Sequence, residues 1–298
     1  MLATFDHSQF DLSALLALKR GPVTVCVPTR ETAATIAQTI RTIDGLRSAG
    51  LVDQVLVIDA DSADGTAAVA EAAGAEVFQE AALLPEFGPV EGKGDAMWRA
   101  LSVASGEIVA YLDGDVRDFG PHYVTGLLGP LLQSPQIEFV KGFYRRPLVI
   151  DSMEIEDGGG RVTELTAKPL LDLLVPELAS FRQPLAGECA ARRSLLAGIP
   201  YSTGYGVEIA MLVEVWKRVG IERMAQVDLG TKRNSHQSLT ALAGMSREVI
   251  DALVQQLETA DTPCSGSIEP AAAWLPKLHE RPPMESVAPL ASPASQPR

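Results

Sequence analysis

The chain has 298 residues, 46% of them hydrophobic, and a formal net charge of −13. That is enough apolar surface for a large core in one or two α/β domains. An acidic chain with a pI near 4.8 lacks the broad basic face that nucleic-acid phosphates attract, so we expect no nucleic-acid partner. Three widely spaced cysteines argue against a disulfide scaffold and favour the cytoplasm. The sequence predicts neither an export signal nor a membrane span.

Residues 1–21 precede the first clear strand and form a predicted N-terminal extension. Apolar side chains recur through this segment, at positions that include Phe5, Phe10 and Leu15. We expect a helix that packs on the sheet or on a partner subunit.

Residues 22–150 alternate between strand and helix patterns, which is typical of a parallel sheet covered by helices. The predicted strands are Val23 to Val27, Gln54 to Asp59, Glu76 to Gln79, Ile108 to Leu112 and Glu138 to Tyr144. The predicted helices between them are Thr32 to Ala49, Thr66 to Ala73, Gly94 to Ala104 and one around Leu127 to Leu132. This order predicts a doubly wound α/β half that binds a nucleotide.

Residues 151–260 form a second, smaller half, in which the alternation is looser. We predict helices from Thr163 to Val175, Val207 to Val219 and Ser246 to Thr259, and strands from Leu185 to Ala191 and Ile221 to Val227. Residues 261–298 are rich in Pro, Ala and Ser, which predicts a poorly ordered tail.

The strand that begins at Ile108 ends in two carboxylates, Asp113 and Asp115, separated by Gly114. Ligands of parallel sheets bind beyond the carboxyl ends of the strands. Residues two apart on an extended chain point the same way, so the two aspartates could hold a divalent cation and its phosphates. A solvated acidic turn is the alternative for so short a motif.

Other polar residues are predicted at the same edge of the sheet. Asp59 and Asp61 follow a strand and are candidates to accept hydrogen bonds from a nucleobase or ribose, whereas Asp64 and Thr66 are better explained as helix-capping residues. Lys93, between two glycines at a helix start, can neutralise a diphosphate.

The second half carries a glycine loop followed by Arg161 and Thr163. Converging backbone N–H groups and a guanidinium predict a cradle for a small anion, although a mobile linker has the same composition. Glu208 begins a helix, where either the helix dipole or catalysis explains it. The segment 232–236 follows the last strand and is a candidate for a cation ligand and phosphate contacts.

In chain order, several blocks resemble the glucosyl-3-phosphoglycerate synthases and their mannosyl-transferring relatives. These blocks are Glu91 to Trp98, Leu112 to Asp115, Val140 to Leu148, Gly158 to Leu165, Gln183 to Glu188 and Gly204 to Ile209. The resemblance runs from about Val23 to Leu257. It implies a GT-A fold, a homodimer, Mg²⁺ or Mn²⁺, and retaining transfer of a hexose from a nucleotide diphosphate to the 2-hydroxyl of 3-phosphoglycerate, with UDP-glucose the favoured donor.

The resemblance also implies residue roles. Asp115 is the metal ligand, Leu185 presents its carbonyl to the sugar, and Glu208 binds sugar hydroxyls. The donor site would comprise Pro28, Asp59, Asp61, Lys93, Asp113 and Glu208. The acceptor site would comprise Gly160, Arg161, Thr163 and Lys232.

Two departures from the family pattern affect these roles. Thr29, Arg30 and Glu31 stand where the family shows an Asn-Glu-Glu run, which leaves the base preference open. The family's Arg-x-His-x-Asn aligns on residues 232–236, so that either His236 or Asn234 completes the metal site; we favour His236 because imidazole is the stronger ligand for most divalent metals. Lys232 keeps the charge of the family's arginine but loses its fork.

Alternative functions stay open on the sequence. A mannosyl transferase using GDP-mannose would share every motif. A sugar-phosphate nucleotidyltransferase would need a glycine-rich loop after the first strand, and a dinucleotide-dependent oxidoreductase would need Gly-x-Gly-x-x-Gly there; the chain has Pro28-Thr29-Arg30-Glu31. A non-catalytic sugar-nucleotide binder remains the last alternative.

Overall fold

The computed structural model describes residues 1–150, 153–156, 158–233, 237–258 and 279–287. The strands in chain order are β1 (Ala3–Asp6), β2 (Val23–Thr29), β3 (Gln54–Asp59), β4 (Glu76–Gln79), β5 (Ile108–Tyr111), β6 (Phe139–Arg145), β7 (Leu148–Ile150), β8 (Met153–Ile155), β9 (Cys189–Arg192), β10 (Tyr201–Ser202), β11 (Met224–Thr231) and β12 (Glu280–Arg281). The helices are α1 (Leu12–Leu18), α2 (Ala33–Ser48), α3 (Thr66–Ala72), α4 (Lys93–Ala100), α5 (His122–Gln133), α6 (Lys168–Leu174), α7 (Arg193–Ala197), α8 (Val207–Val219) and α9 (Leu239–Glu258).

Eight strands form one sheet in the order β1-β11-β6-β9-β5-β2-β3-β4. Every pair is parallel except those made by β9, which is antiparallel to β5 and β6. The carboxyl ends of the parallel strands therefore share one edge, and the residues just before β9 reach the same edge. The two-stranded pairs β7–β8 and β10–β12 lie outside this sheet.

Helices cover both faces of the sheet, and each face buries its own apolar cluster. The pleat explains the division, since successive side chains of β6 alternate between faces: Phe139 joins one cluster and Val140 the other. Trp98 of α4 and Met211 of α8 belong to the first cluster. None of the described helices is long and apolar enough to cross a membrane.

The sheet joins the two halves of the chain that the sequence separates near residue 150. Strands β9 and β11 come from the second half, and β9 lies between β5 and β6 of the first. The predicted strand from Leu185 to Ala191 is shorter than expected, because only Cys189–Arg192 pairs with its neighbours. Residues 185–188 are thereby left at the carboxyl edge as a loop.

The N-terminal extension differs from its prediction as a helix. Ala3–Asp6 form an edge strand parallel to β11, and only Leu12–Leu18 are α-helical. The side chains of β1 alternate between partly buried and exposed, as expected for an edge strand with one face on the core. Asp6 and Asp11 then cap the two helical turns that follow.

The prediction of a poorly ordered tail does not hold for residues 279–287. Strand β12 pairs antiparallel with β10, and Met284 is fully buried. The composition that suggested disorder is overridden here by tertiary contacts of a few residues. The rest of the predicted tail, together with the predicted end of the last helix at Thr259, lies outside the described residues.

Candidate active site

Two cavities open at the carboxyl edge of the sheet. The larger, of about 960 Å³, and the smaller, of about 270 Å³, share Lys93, Asp113 and Asp115 in their walls. Two compartments that meet at charged residues fit a reaction between two substrates, one in each compartment.

The carboxylate of Asp113 lies between two lysines at the point where the cavities meet. Lys93 Nζ is 2.7 Å from Asp113 Oδ1 and 2.8 Å from Glu208 Oε1. Lys232 Nζ is 2.5 Å from both Asp113 Oδ2 and Glu188 Oε1. We call these five residues the junction. Five separate segments supply them: the loop after β5, the start of α4, the start of α8, the loop before β9 and the loop after β11.

The ion pairs of the junction fix its protonation states. Burial alone would lower the pKa of Lys93 and Lys232, but the neighbouring carboxylates raise both well above the usual lysine value. Burial would likewise raise the pKa of Asp113, but the two ammonium groups hold it far below its usual range. All three side chains are therefore charged near neutral pH.

Asp115 is placed differently, although it is only two residues from Asp113. Among the described residues nothing donates a hydrogen bond or forms an ion pair to its carboxylate, and it lines both cavities. The junction and Asp115 together hold two lysines and four carboxylates, a local negative excess that a divalent cation would offset. Oxygen donors of this kind suit Mg²⁺ or Mn²⁺.

The remaining metal ligands predicted from the sequence, His236 and Asn234, lie outside the described residues. Within the described ranges, no three His, Cys, Asp or Glu side chains form a metal cluster. Asp115 is thus the one predicted metal ligand that the structure places, and its open carboxylate fits that role.

Part of the larger cavity's wall is formed by Pro28, Arg30, Glu31, Ala60 and Glu80. Pro28, a predicted donor-site residue, lies in this wall, and Glu31 keeps a carboxylate in it despite the departure from the family run. We call this group of residues the base end; its members lie on or follow β2, β3 and β4, the strands on the side of β5 away from β9.

Asp59 and Asp61 do not line either cavity. Asp59 is fully buried, with one carboxylate oxygen accepting hydrogen bonds from Ser62 N (3.1 Å) and Gln79 Nε2 (2.9 Å), and its other oxygen has no partner among the described residues. Asp61 is exposed, with a left-handed backbone (φ 54°). Asp59 therefore shapes the turn under the base end, and its neighbour Ala60 reaches the cavity instead.

Asp64 has the capping role that the sequence favours. Its carboxylate accepts hydrogen bonds from Ala33 N (2.9 Å), at the start of α2, and from Thr66 N (3.0 Å), at the start of α3. The hydrogen bond from the Thr66 hydroxyl is the main cause of a lowered pKa for Asp64, and the hydrogen bonds from these N–H groups add to it. One side chain thus ties two helix starts together behind the base end.

The smaller cavity holds every residue that the sequence predicts for the acceptor. Gly160, Arg161, Thr163 and Lys232 line it, together with Leu185 and Glu208. Gly160 has φ 68°, a conformation that glycine adopts without strain. Arg161 Nη2 donates to Gln237 O (3.0 Å). Arginine and lysine make this end of the smaller cavity basic.

The site residues predicted from the sequence leave out several contributors. Arg146 lines the smaller cavity, and its carbonyl accepts from Gly159 N (2.9 Å). Tyr144 donates from its hydroxyl to Glu188 Oε2 (2.9 Å), which orients the partner of Lys232. A Cβ on Gly187 would lie 2.4 Å from Asp113 Oδ1. Tyr144, Arg146 and Gly187 all lie in the sequence blocks that resemble the family, and this is the signal that could have pointed to them.

Lys141 is buried on β6, and its amine has no hydrogen-bond partner among the described residues. Burial lowers its pKa, which the nearby Cys189 and Glu208 only partly offset. In contrast to Lys93 and Lys232, this lysine is not part of the junction.

The fold and the paired cavities define a glycosyltransferase of the GT-A type. Residues 24–146 match the family model of glycosyl transferase family 2. The chain is 44% identical over 262 residues to glucosyl-3-phosphoglycerate synthase of Mycolicibacterium smegmatis, covering 86% of each, and 39% identical over 300 residues to that of Mycobacterium tuberculosis, covering 96% of this chain and 92% of the other. It belongs to the glucosyl-3-phosphoglycerate synthase family.

Solved structures agree with this placement. Mannosyl-3-phosphoglycerate synthase from Rubrobacter xylanophilus superposes with a TM-score of 0.86 at 43% identity, over 96% of this chain and 97% of the other. Glucosyl-3-phosphoglycerate synthase from Mycobacterium tuberculosis, solved with Mn²⁺, UDP-glucose and phosphoglyceric acid, has a TM-score of 0.84 at 40% identity, over 96% and 99%.

Proposed function

We propose that this enzyme transfers glucose from UDP-glucose to the 2-hydroxyl of 3-phosphoglycerate, with retention of the anomeric configuration. The observation that carries the proposal is the pair of cavities meeting at Lys93, Asp113 and Asp115, in a chain 44% identical to a glucosyl-3-phosphoglycerate synthase. The larger cavity accommodates the nucleotide, and the smaller, basic one accommodates the acceptor with its phosphate and carboxylate.

Each compartment has residues suited to its substrate. In the larger cavity, Pro28 and the base end would contact the nucleoside, while Lys93 would face the diphosphate. In the smaller cavity, Arg161 and the N–H groups near Gly160 and Thr163 would bind the phosphate or carboxylate of the acceptor. Holding both substrates against the junction places the acceptor hydroxyl near the anomeric carbon.

Asp115 would hold a divalent cation, with His236 or Asn234 as the predicted further protein ligand. When bound, such a cation neutralises charge on the departing diphosphate. The neighbouring Asp113 is already neutralised by two lysines, so it is suited to a hydroxyl of the sugar or ribose rather than to the metal. Glu208 both fixes Lys93 and offers an acceptor for sugar hydroxyls.

Retention is explained by attack on the face from which the diphosphate leaves. The acceptor oxygen forms a bond to the anomeric carbon as the bond from that carbon to the phosphate oxygen breaks, and the acceptor proton passes to that phosphate oxygen. Among the junction carboxylates, Asp113, Glu188 and Glu208 are each held by a lysine, which disfavours a covalent glycosyl intermediate. The carbonyl of Leu185, in the wall of the smaller cavity, would face the sugar.

Mannosyl transfer from GDP-mannose is the second candidate, favoured by the likeness to the Rubrobacter xylanophilus structure. We further propose a cytoplasmic homodimer. The exposed Leu165 and Leu173 supply apolar surface for self-association, and the free buried thiols of Cys26 and Cys189 suit a reducing compartment. Light scattering during size-exclusion chromatography tests the dimer.

The reaction is tested by incubating the full chain with 3-phosphoglycerate, Mg²⁺ or Mn²⁺, and a panel of UDP-, GDP- and ADP-linked glucose and mannose. We expect UDP and a glucosyl phosphoglycerate with an α-linkage, identified by mass and NMR. Preference for GDP-mannose would establish the second candidate instead. Release of pyrophosphate would indicate a nucleotidyltransferase, and binding without product a non-catalytic binder.

The metal role is tested with Asp115→Asn. We expect kcat to fall about 10³-fold, since charge stabilisation of the leaving group is lost, with weaker Mn²⁺ binding and an unchanged melting temperature. Asp44→Asn, in a partly exposed pair with Arg47 on α2, is the matched control and should behave as wild type. Full turnover by the Asp115 variant would refute the assignment.

A further inference from the structure

Residues 279–287, which we call the C-terminal strap, pack against the start of α4. Strand β12 pairs with β10, Trp98 Nε1 donates to Pro282 O (2.7 Å), and Met284 is fully buried. These contacts hold the strap beside the helix that begins with Lys93, although the strap is the most C-terminal part of the chain that the structure describes.

Arg281 of the strap forms a fork with Asp95 of α4. Its Nε is 2.9 Å from Asp95 Oδ1 and its Nη2 is 2.7 Å from Oδ2. The same guanidinium donates to Phe87 O (2.7 Å) and Pro89 O (3.1 Å). Asp95 is fully buried, and a bidentate pair with a buried carboxylate fixes both distance and orientation.

Asp95 in turn organises the loop that precedes Lys93. Its Oδ2 accepts from Glu91 N (3.0 Å), and Gly204 N donates to Glu91 O (2.9 Å). His279 is the first residue of the strap, and its Nδ1 is 2.9 Å from the Glu91 carboxylate. The carbonyl oxygen of His279 accepts a hydrogen bond from Thr203 N (2.9 Å). The strap thus joins two neighbouring segments of the larger cavity's wall, 90–93 and 203–205.

We propose that Arg281 is a positioning residue for donor binding, acting through Asp95 on Lys93. It holds the start of α4 in the position from which Lys93 Nζ forms its ion pairs with Asp113 and Glu208. It also keeps residues 90–92 in the wall of the larger cavity. The proposal deepens the proposed function and rests on it for the identity of the donor. Arg281 lines neither cavity, so its effect is indirect.

The test compares three variants of the full chain: Arg281→Ala, Arg281→Lys and Met284→Ala. We expect Arg281→Ala to lower kcat/KM for UDP-glucose about 100-fold, the size of effect that follows a small displacement of a catalytic group, while KM for 3-phosphoglycerate changes less than about threefold because Gly160, Arg161 and Thr163 lie on other elements. Arg281→Lys should recover only part of the loss, since lysine lacks the fork.

Two readouts separate positioning from mere stability. Guanidinium ion at millimolar concentration should restore part of the activity of Arg281→Ala and none of that of Met284→Ala. Met284→Ala deletes a buried apolar anchor of the strap but leaves the fork between Arg281 and Asp95 in place, so it should lower the melting temperature, whereas kcat/KM for UDP-glucose, measured well below that temperature, should fall far less than in Arg281→Ala. An Arg281→Ala enzyme with a lower melting temperature but unchanged donor kinetics would overturn the proposal.

Hydrogen exchange tests the strap independently of turnover. In Arg281→Ala the peptides containing Glu91 N and Gly204 N should exchange faster, whereas those covering Gly160 to Thr163 should not change. Unchanged exchange at Glu91 would overturn the proposal even if activity fell. If the wild type transferred no sugar from any donor, the proposed function would fail, but the exchange result would still decide whether Arg281 holds this loop.

Discussion

Lys93 and Asp113 of the junction line the same cavity as the base end, but the junction and the base end are built on different physical principles. At the junction, Lys93 and Lys232 neutralise Asp113 directly, so the charged groups are fixed before any substrate arrives. At the base end, Arg30 and Glu31 are exposed and Glu80 is half-buried. Preorganised charge is what stabilises a developing leaving group, whereas an open end accommodates variation in the base. Under the proposed function, this contrast predicts that chemistry and base selectivity can be altered separately.

The largest combined effect on stability and activity is expected from breaking the junction with Asp113→Asn. Both lysines lose a shared charged partner, although Glu188 and Glu208 remain. We expect the free energy of unfolding to fall by about 2 kcal/mol and kcat/KM by about 10²- to 10³-fold. Urea unfolding and steady-state kinetics measure the two quantities.

Asp115→Asn provides the contrast to Asp113→Asn, since its carboxylate has no protein partner among the described residues. It should lose activity with an unfolding free energy within about 0.5 kcal/mol of wild type. Equal destabilisation by the two substitutions would show that the two aspartates are not divided into a structural and a metal-binding role.

A smaller effect is expected when the junction is crowded rather than broken, with Gly187→Ala. The new Cβ would lie 2.4 Å from Asp113 Oδ1 and 2.6 Å from Lys93 Nζ, so the ion pair has to move. We expect kcat to fall about 10²-fold. Gly45→Ala on α2, where an added Cβ meets nothing within 4 Å, is the control. A fully active Gly187→Ala enzyme would mean that the junction tolerates displacement.

Sequence patterns predicted the part of the site that lies on one stretch of chain, such as the strand that delivers Asp113 and Asp115. They did not predict which aspartate is neutralised, because that depends on Lys232, 119 residues away, and on Glu188, which β9 brings between two first-half strands. The sheet order that unites them is a property of the whole fold and has no local pattern.

The errors at the two ends of the chain have a similar cause. Ala3–Asp6 is short and only partly buried, so its strand pairing with β11 leaves little periodicity to detect. Residues 279–287 have the composition of a disordered tail, yet Arg281 and Met284 have specific partners on α4 and in the core. Composition averages over a segment and does not report the few specific contacts, such as the pairing of β12 with β10 and the hydrogen bond from Trp98 to Pro282 O, that order it.

The smallest expected effect, a few-fold change, lies at the base end, with Glu80→Gln. Burial is the main cause, and the negative charge of Asp95 the second, of a pKa of Glu80 raised to about 7. The carboxyl group therefore becomes an anion as the pH rises through 7, in a cavity proposed to bind an anionic nucleotide. We expect KM for UDP-glucose to rise about two- to fivefold between about pH 6 and about pH 8 in wild type, the size typical of one partly exposed charge.

In Glu80→Gln this rise should disappear, whereas Glu86→Gln, which changes an exposed glutamate outside both cavities, should keep it. Stability gives an independent check. The unfolded state releases this proton near pH 4.5 and the folded state near 7, so the contribution of Glu80 to folding declines over that interval and is constant above it. The glutamine variant should lack that decline. If both variants kept the pH dependence of KM, that dependence would not come from Glu80. The charge of Glu80 would then play no part in donor binding at the base end.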